Sequence, residues 1–320
     1  MARCDICISD NSIVRVNHAA NLVDGQLMTE PIISVKNVNF SYPAGVKAIT
    51  GVSLDIQKGE RVALLGPNGS GKSTLILLIA GLLSPLKGEI RVLGEDTGSK
   101  SFQKLRQKIG IVFQDPDDQL FNQTVIEDVA YGPKNLRLPE EKIGKRCDHI
   151  LEDIGISHLR DRPPHRLSFG EKKKVSLATA LVLEPELMLL DEPTANLDLQ
   201  SRRGLIDLLN ELSAEGTTIV VSTHDVEALP ELVDRVIIVS HGSVLGEGDI
   251  HSVLQDAKLL ESAGLEPPSI ARLFGKLKSL GIIETVPLTY EEGAAALLKL
   301  LSQNSSSSAN VKQNPTGDGA

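Results

Sequence analysis

Lys72 and Ser73 follow a glycine-rich run, Gly66-Pro67-Asn68-Gly69-Ser70-Gly71, and Thr74 comes next. A first glycine, four residues, then Gly-Lys-Ser is the phosphate-loop spacing. Glycines let the main chain curl without Cβ clashes, so successive N–H groups point at one anion. Lys72 would then reach the β- and γ-phosphates of a nucleotide, and the Ser73 hydroxyl would hold Mg²⁺. Much later, Asp191 and Glu192 close the apolar run 187–190. Two carboxylates at the end of a buried strand are costly unless they meet a metal or water. Asp191 fits the outer partner of a Mg²⁺ already held by Ser73, and Glu192 fits a group that polarises water at the γ-phosphate. The plainer alternative is a pair of acids capping the next element. His224 follows a further stretch, 217–222, that reads as a buried strand. A lone histidine is usually structural, but the end of a strand beside a nucleotide site favours a functional one.

These residues need elements to carry them. The run 62–65 reads as a buried strand and 75–80 as a helix, which is the strand, loop and helix context the phosphate loop requires. Before it, a strand-like stretch with Ile33, Val35 and Val38 leads to Phe40-Ser41-Tyr42-Pro43, and 54–56 continue as a strand with a turn at 58–60, so two or three antiparallel strands are expected. Tyr42, at the end of the first, is either a purine-stacking face or an ordinary core tyrosine. Short strands are expected at 90–93 and 109–113, the second ended by Gln114. Thr124-x-x-Glu127 is a capping box. Helical patterning continues over 142–154, so a helical lobe is expected at about 115–165. Leu167-Ser168-Phe169-Gly170-Glu171 opens a further helix, another place where an anion could meet a helix start. A helix at about 201–213 ends at Gly216, and 236–239 with 244–247 read as a closing hairpin across His241-Gly242. Alternating strands and helices over 61–240 imply an α/β fold with a mainly parallel core sheet and helices on both faces. Its active residues then fall at the carboxyl ends of the strands. The domain limits that follow are an extension at 1–31, a nucleotide-binding domain at 32–250, a small C-terminal helical extension at 251–301 and a disordered tail at 302–320. Thr289-x-x-Glu292 is a second capping box in that extension, with its helix ending at about 301. The four consecutive serines beyond it suit a tail without a core.

Composition removes several function classes. Of 320 residues, 41% are hydrophobic and 23% charged, an ordinary balance for a folded domain. A net charge of −9 and only 3% aromatics disfavour a general basic field or base-stacking platform, so no nucleic-acid partner is expected. No run reaches the roughly 18 apolar residues of a membrane span, and no signal peptide is visible. Three cysteines do not make a disulfide framework. Cys4 and Cys7 form a lone C-x-x-C pair, either a zinc half-site or two reduced thiols.

The ordered set of phosphate loop 66–74, Gln114, Leu167 to Glu171, Asp191-Glu192, Asn196-Leu197-Asp198 and His224 resembles the ABC-type ATPases. The resemblance covers roughly residues 32 to 250 and implies an antiparallel β subdomain beside the parallel core. It implies that Tyr42 stacks on adenine, that Gln114 is the lid glutamine sensing Mg²⁺ and coupling to a membrane partner, and that His224 is the γ-phosphate switch. It also implies that Ser168 and Gly170 contact the γ-phosphate bound by an opposite subunit, and that Asp198 crosses the dimer interface. Within the family, 113–121 and 167–175 are similar to the ATPases of energy-coupling-factor importers, the cobalt and nickel branch above all. Pro267-Pro268, a helical segment and Pro287-Leu288-Thr289 look like that branch's extra helical domain. Phe169 and Glu171 depart from the commonest Leu-Ser-Gly-Gly-Gln signature, and an added carboxylate near ribose and triphosphate is expected to weaken that contact.

The resemblance implies ATP hydrolysis with Mg²⁺, coupled to import by integral membrane subunits, and a second ATPase subunit that is identical or related. The chain would lie at the cytoplasmic side of the cell membrane as a peripheral subunit. A vitamin importer is the alternative cargo. A soluble ABC protein of DNA repair, chromosome structure or translation usually carries a long coiled coil or a second cassette, and this chain has one phosphate loop and no heptad run. In a phosphate-loop kinase or GTPase the signature loop would have no role. The apolar pair Leu120-Phe121, after Asp115, Asp117 and Asp118, reads as a docking site for a basic helix of a transmembrane subunit.

Overall fold

The computed structural model describes residues 21–23, 26–28 and 30–309. Two compact units are present, Met1–Glu30 and Pro31–Ala320. In the first, β1 (Asn21–Val23) pairs antiparallel with β2 (Gln26–Met28). No strand was expected there, because three residues are too few to show a period. The intervening Asp24-Gly25 is nevertheless a favoured two-residue hairpin sequence. The Cys4/Cys7 pair lies outside the described residues.

The second unit is built on six strands, namely β5 (Arg61–Leu65), β8 (Ile109–Val112), β9 (Leu187–Asp191), β10 (Thr218–Thr223), β11 (Arg235–Ser240) and β12 (Ser243–Asp249). Their spatial order is β12-β11-β5-β10-β9-β8. All pairs are parallel except β11 with β12. Parallel strands must be covered on both faces, which is why they read as unbroken apolar runs. The pleat divides them: Ala63, Leu65, Leu190, Val221 and Ile238 face one core. Val62, Leu64, Leu189, Val220 and Ile237 face the other. Each such valine, leucine or isoleucine contributes about 1.5–3 kcal/mol when fully buried.

Helix α1 (Lys72–Ile79) lies on the second face, and with it a four-stranded antiparallel sheet of order β4-β3-β6-β7. Its strands are β3 (Ile33–Ser41), β4 (Lys47–Ile56), β6 (Lys87–Val92) and β7 (Glu95–Asp96). A short helix α2 (Phe102–Leu105) leads into β8 and buries Phe102. The helical lobe comprises α3 (Val125–Asn135), α4 (Glu140–Asp153) and α5 (Phe169–Leu181), packed through Val125, Val129, Ile143, Cys147, Leu151 and Val175. The Glu127 carboxylate accepts the Thr124 N–H at 3.0 Å, as a capping box requires.

Helices α6 (Leu199–Ala214) and α7 (Leu229–Leu232) cover the first face. The chain then continues through α8 (Ile250–Gln255), α9 (Ala257–Ser262), α10 (Ser269–Ser279) and α11 (Tyr290–Ala309). Leu260, Phe274, Val286 and Leu288 join the same core as the sheet. The C-terminal helices are therefore one packed body with the α/β core. Two expectations are corrected here. Helix α11 continues to Ala309 instead of ending at about 301, since serines tolerate a helix that other residues have started. The second capping box is half formed: Thr289 Oγ1 accepts the Glu292 N–H at 3.2 Å, while Glu292 takes its reciprocal hydrogen bond from the Leu288 N–H at 2.8 Å, one residue upstream of Thr289.

Candidate functional site

The phosphate loop joins β5 to α1 and its shape is fixed from outside. Gly66 donates to the Thr223 carbonyl at 3.2 Å, and Gly242, in the β11–β12 turn, donates to Ser70 O at 2.9 Å. A Cβ on Gly66 would run into Val239 O, and one on Gly71 would come 2.6 Å from Ala48 O. Gly71 caps α1 at φ 107°, a left-handed conformation that only glycine adopts without strain. The Lys72 ammonium is buried and donates to Gly66 O at 2.7 Å and Pro67 O at 3.0 Å. Burial lowers its pKa, while the nearby Glu192 and Asp191 charges oppose that shift. The loop borders a cleft of about 360 Å³ lined by Tyr42, Asn68, Gly69, Ser73, Gln114 and Glu192, among others. Tyr42 is 38% exposed, meets Phe40 edge-on and shares a 3.1 Å hydrogen bond with Thr74, so a ring face remains available to the cleft.

The acid pair stands at the carboxyl end of β9. Asp191 is buried and accepts a hydrogen bond from the Ser222 hydroxyl of β10. Glu192 is also buried, accepts from Thr223 Oγ1 at 3.2 Å and meets His224 Nδ1 at 2.7 Å. Against a carboxylate acceptor, Nδ1 carries the proton, which leaves the half-exposed imidazole's Nε2 as its second polar atom. Glu192 has φ 45°, an uncommon value for a non-glycine residue, and strain of about 1–3 kcal/mol of this kind gathers at functional sites. The side chains of Ser73, Gln114 and Asp191 can each offer an oxygen, the donor type Mg²⁺ prefers. A loop moulded by backbone close approach, a lysine among carbonyls and this oxygen set fit a Mg²⁺-nucleotide.

The signature residues stand apart. Ser168, Gly170 and Asp198 are absent from the lining of that cleft. Ser168 caps α5, and its own N–H and hydroxyl donate to Glu171 Oε2 at 2.8 and 2.9 Å. The hydrogen bonds from Ser168 hold the Glu171 carboxyl below its usual range. Glu171 thus turns back on Ser168 as the partner residue of a capping box, a place that glutamine also fills. Asp198 caps α6 by accepting from Ser201 N–H at 2.8 Å. Both caps are exposed.

Sequence reasoning passed over Lys173 and Gln119. Lys173 is 1% exposed, and its ammonium donates to Phe113 O at 2.9 Å and Gln114 O at 3.0 Å. Burial pushes its pKa down to about 8, with Asp191, Glu192 and Asp115 acting in the other direction. The signal was present: 173, 176, 177 and 180 form one buried helical face, so one lysine of the triplet had to point inward. Leu120 corrects another expectation. It is 8% exposed and belongs to the lobe core, leaving Phe121, 64% exposed and edge-on to Tyr131 at 4.9 Å, as the apolar surface. Of the three acids, Asp117 is paired with Lys172 at 2.6 Å and Asp115 caps the turn through the Asp117 N–H at 2.9 Å.

Fold and site together define a phosphate-loop ATPase of the cassette class. The family model for ABC transporters matches residues 49–195. The chain is 45% identical over 272 residues to the energy-coupling factor transporter ATP-binding protein EcfA of Methanothermobacter thermautotrophicus, covering 84% of this chain and 88% of that one. It is 43% identical to the EcfA of Methanocaldococcus jannaschii, over 76% and 88% of the two chains. Among solved structures it is similar to cbiO1 of Clostridium perfringens, described as part of the ABC transporter complex cbiONQ, with 40% identity, a TM-score of 0.65 and coverage of 78% and 100%. A dimeric ATP-binding cassette bound to ADP and Pi matches at 31% identity and a TM-score of 0.64, over 68% and 98%. The chain belongs to the energy-coupling factor family of ABC transporter ATP-binding proteins and is an ATPase coupled to transport. No helix among the described residues is long and apolar enough to cross a membrane.

Proposed function

We propose that the chain hydrolyses Mg²⁺-ATP in a site completed by a second ATPase subunit, identical or related, and drives an importer for cobalt or nickel ions from the cytoplasmic side of the membrane. Its place at the membrane comes from integral subunits that dock on it. The observation carrying this reading is the Glu192 carboxylate, held by His224 and Thr223 at the mouth of the phosphate cleft. Within the loop 66–74, the N–H groups of Gly69, Gly71, Lys72, Ser73 and Thr74, which line the cleft, bind the phosphates, Lys72 leaves its loop carbonyls for the β- and γ-phosphates, and Tyr42 stacks on the base. Ser73, Gln114 and Asp191 would hold Mg²⁺, which would supply positive charge against the phosphate oxygens. Glu192 accepts a proton from the attacking water as its oxygen bonds to the γ-phosphorus and the bond to the β-phosphate oxygen breaks, giving ADP and phosphate. His224 keeps Glu192 oriented through Nδ1, and its Nε2 donates to the γ-phosphate when the ring carries a proton on both nitrogens.

Ser168, Gly170 and Asp198 serve the partner's nucleotide. Ser168 and Asp198 are both exposed, which leaves them open to a second chain. The exposed Phe121–Tyr131 pair, beside exposed Asp118, is the proposed contact for a basic helix of a membrane subunit. Cobalt or nickel as cargo rests on segments 113–121 and 167–175, and the likeness to cbiO1 supports that branch. Uptake of these ions into cells, measured for the native chain and for Phe121→Ala, tests the reading. Metal uptake should fall with the variant. Unchanged metal uptake with lost vitamin uptake would move the cargo to the vitamin branch.

A further inference from the structure

Strand β8 leaves its ladder with β9 after the pair Val112 and Leu190. The carbonyls of Phe113 and Gln114 therefore lose strand partners just where the chain turns toward the phosphate cleft. Backbone acceptors in such a place need donors. Both are satisfied by one group, the Lys173 ammonium, at 2.9 and 3.0 Å. Two neighbouring contacts fasten the same segment to the same helix. Lys172 pairs with Asp117 at 2.6 Å, and Gln119 Nε2 donates to Ser176 O at 2.9 Å and Thr179 Oγ1 at 2.7 Å. Helix α5 is the element capped by Ser168. Segment 113–119 is thus strapped to the helix whose first turn carries the signature serine.

We propose that Lys173 is a positioning residue for metal binding: by holding the Phe113 and Gln114 carbonyls it fixes the backbone from which the Gln114 side chain reaches Mg²⁺, and ties that reach to the signature helix. The inference rests on the reading of Gln114 as a metal ligand. A lysine suits the task because one flexible ammonium donates to two carbonyls that face the same point. A lysine that only filled a buried space would leave metal affinity unchanged when replaced by a side chain of similar length.

The test measures Mn²⁺ affinity of the ATP complex by electron paramagnetic resonance, in the slowly hydrolysing Glu192→Gln protein. Removing an outer-shell partner of a metal site typically weakens metal binding about 10- to 100-fold. Lys173→Met should weaken Mn²⁺ affinity about tenfold, matching Gln114→Ala, while ATP affinity without metal stays unchanged. Lys173→Gln, whose amide still donates, should fall between native and Lys173→Met. Combining Gln114→Ala with Lys173→Met should be no worse than Gln114→Ala alone, since both act through one side chain. Native Mn²⁺ affinity in Lys173→Met, with Gln114→Ala weakened, overturns the role of Lys173 and leaves Gln114 standing. Native affinity in Gln114→Ala removes the reading of Gln114 and the inference with it. Should Lys173→Met fail to fold, Lys173→Gln decides, a weakened affinity supporting the proposal and a native one overturning it.

Discussion

The phosphate-loop side and the signature side of the molecule treat their polar groups in opposite ways. Lys72, Asp191 and Glu192 are buried, and the first partners of each are other groups of the same site: loop carbonyls, Ser222, Thr223 and His224. Ser168 and Asp198 are exposed, and their partners are only the first turns of the helices they cap. A buried charge needs partners built into the chain because desolvation is expensive. An exposed cap can exchange a local hydrogen bond for one to a ligand at little loss. One side is finished within the chain, and on the proposed reading a second subunit finishes the other.

Breaking the finished side should have the largest effect. Glu192→Gln should keep ATP binding and lose about 10²–10⁴-fold in turnover, the range for a general base. Steady-state ATPase assays with a nucleotide-binding control check this, and native turnover would remove Glu192 from its role. Lys72→Ala should instead weaken ATP binding itself. On the other side, Ser168→Ala should cost about 1 kcal/mol of stability as a lost cap. It should also reduce turnover at the opposite nucleotide by about 10²-fold, as loss of a transition-state donor does. Melting curves and ATPase rates separate the two effects.

Smaller effects should sharpen the comparison away from either centre. Phe121→Ala should reduce copurification of membrane subunits far more than it reduces ATPase rate, because Phe121 lies outside the phosphate cleft. Cys147, buried in the lobe, has its thiol pushed up to about 11 by burial. Its folded pKa exceeds the unfolded value of about 8.5. The folded chain therefore retains the proton as pH rises between those values, and this group's contribution to stability falls across that window. Cys147 should stay unmodified by thiol reagents at pH 9 until the lobe opens, as peptide mass mapping would show. Prompt labelling would mean that the lobe is looser than its packing indicates.

The finished side was also the more legible one. Gly66 to Thr74, Asp191, Glu192 and His224 could be placed because local spacing dictates their chemistry, and the structure brings Ser73, Gln114 and Glu192 to one cleft. Strands β5, β9 and β10 were readable because burial on both faces leaves continuous apolar runs. Lys173 was missed because a charged residue counts as exposed until its helical face is counted. Leu120 was misplaced for the reverse reason: two adjacent apolar residues looked like one surface, but the turn sends Leu120 into the lobe and Phe121 out. The length of α11 depended on packing and helix propagation, which serine-rich composition does not reveal.

The claim that the site is shared between two copies is tested most directly by mixing two inactive variants. Lys72→Ala removes a phosphate loop but leaves Ser168 intact, and Ser168→Ala does the converse. In a mixed pair both defects fall in one composite site, and the other site is wholly native. Because half of randomly formed pairs are mixed and each carries one intact site of two, the mixture should recover about a quarter of native turnover. A mixture no more active than its two components would contradict a site shared between copies of this chain.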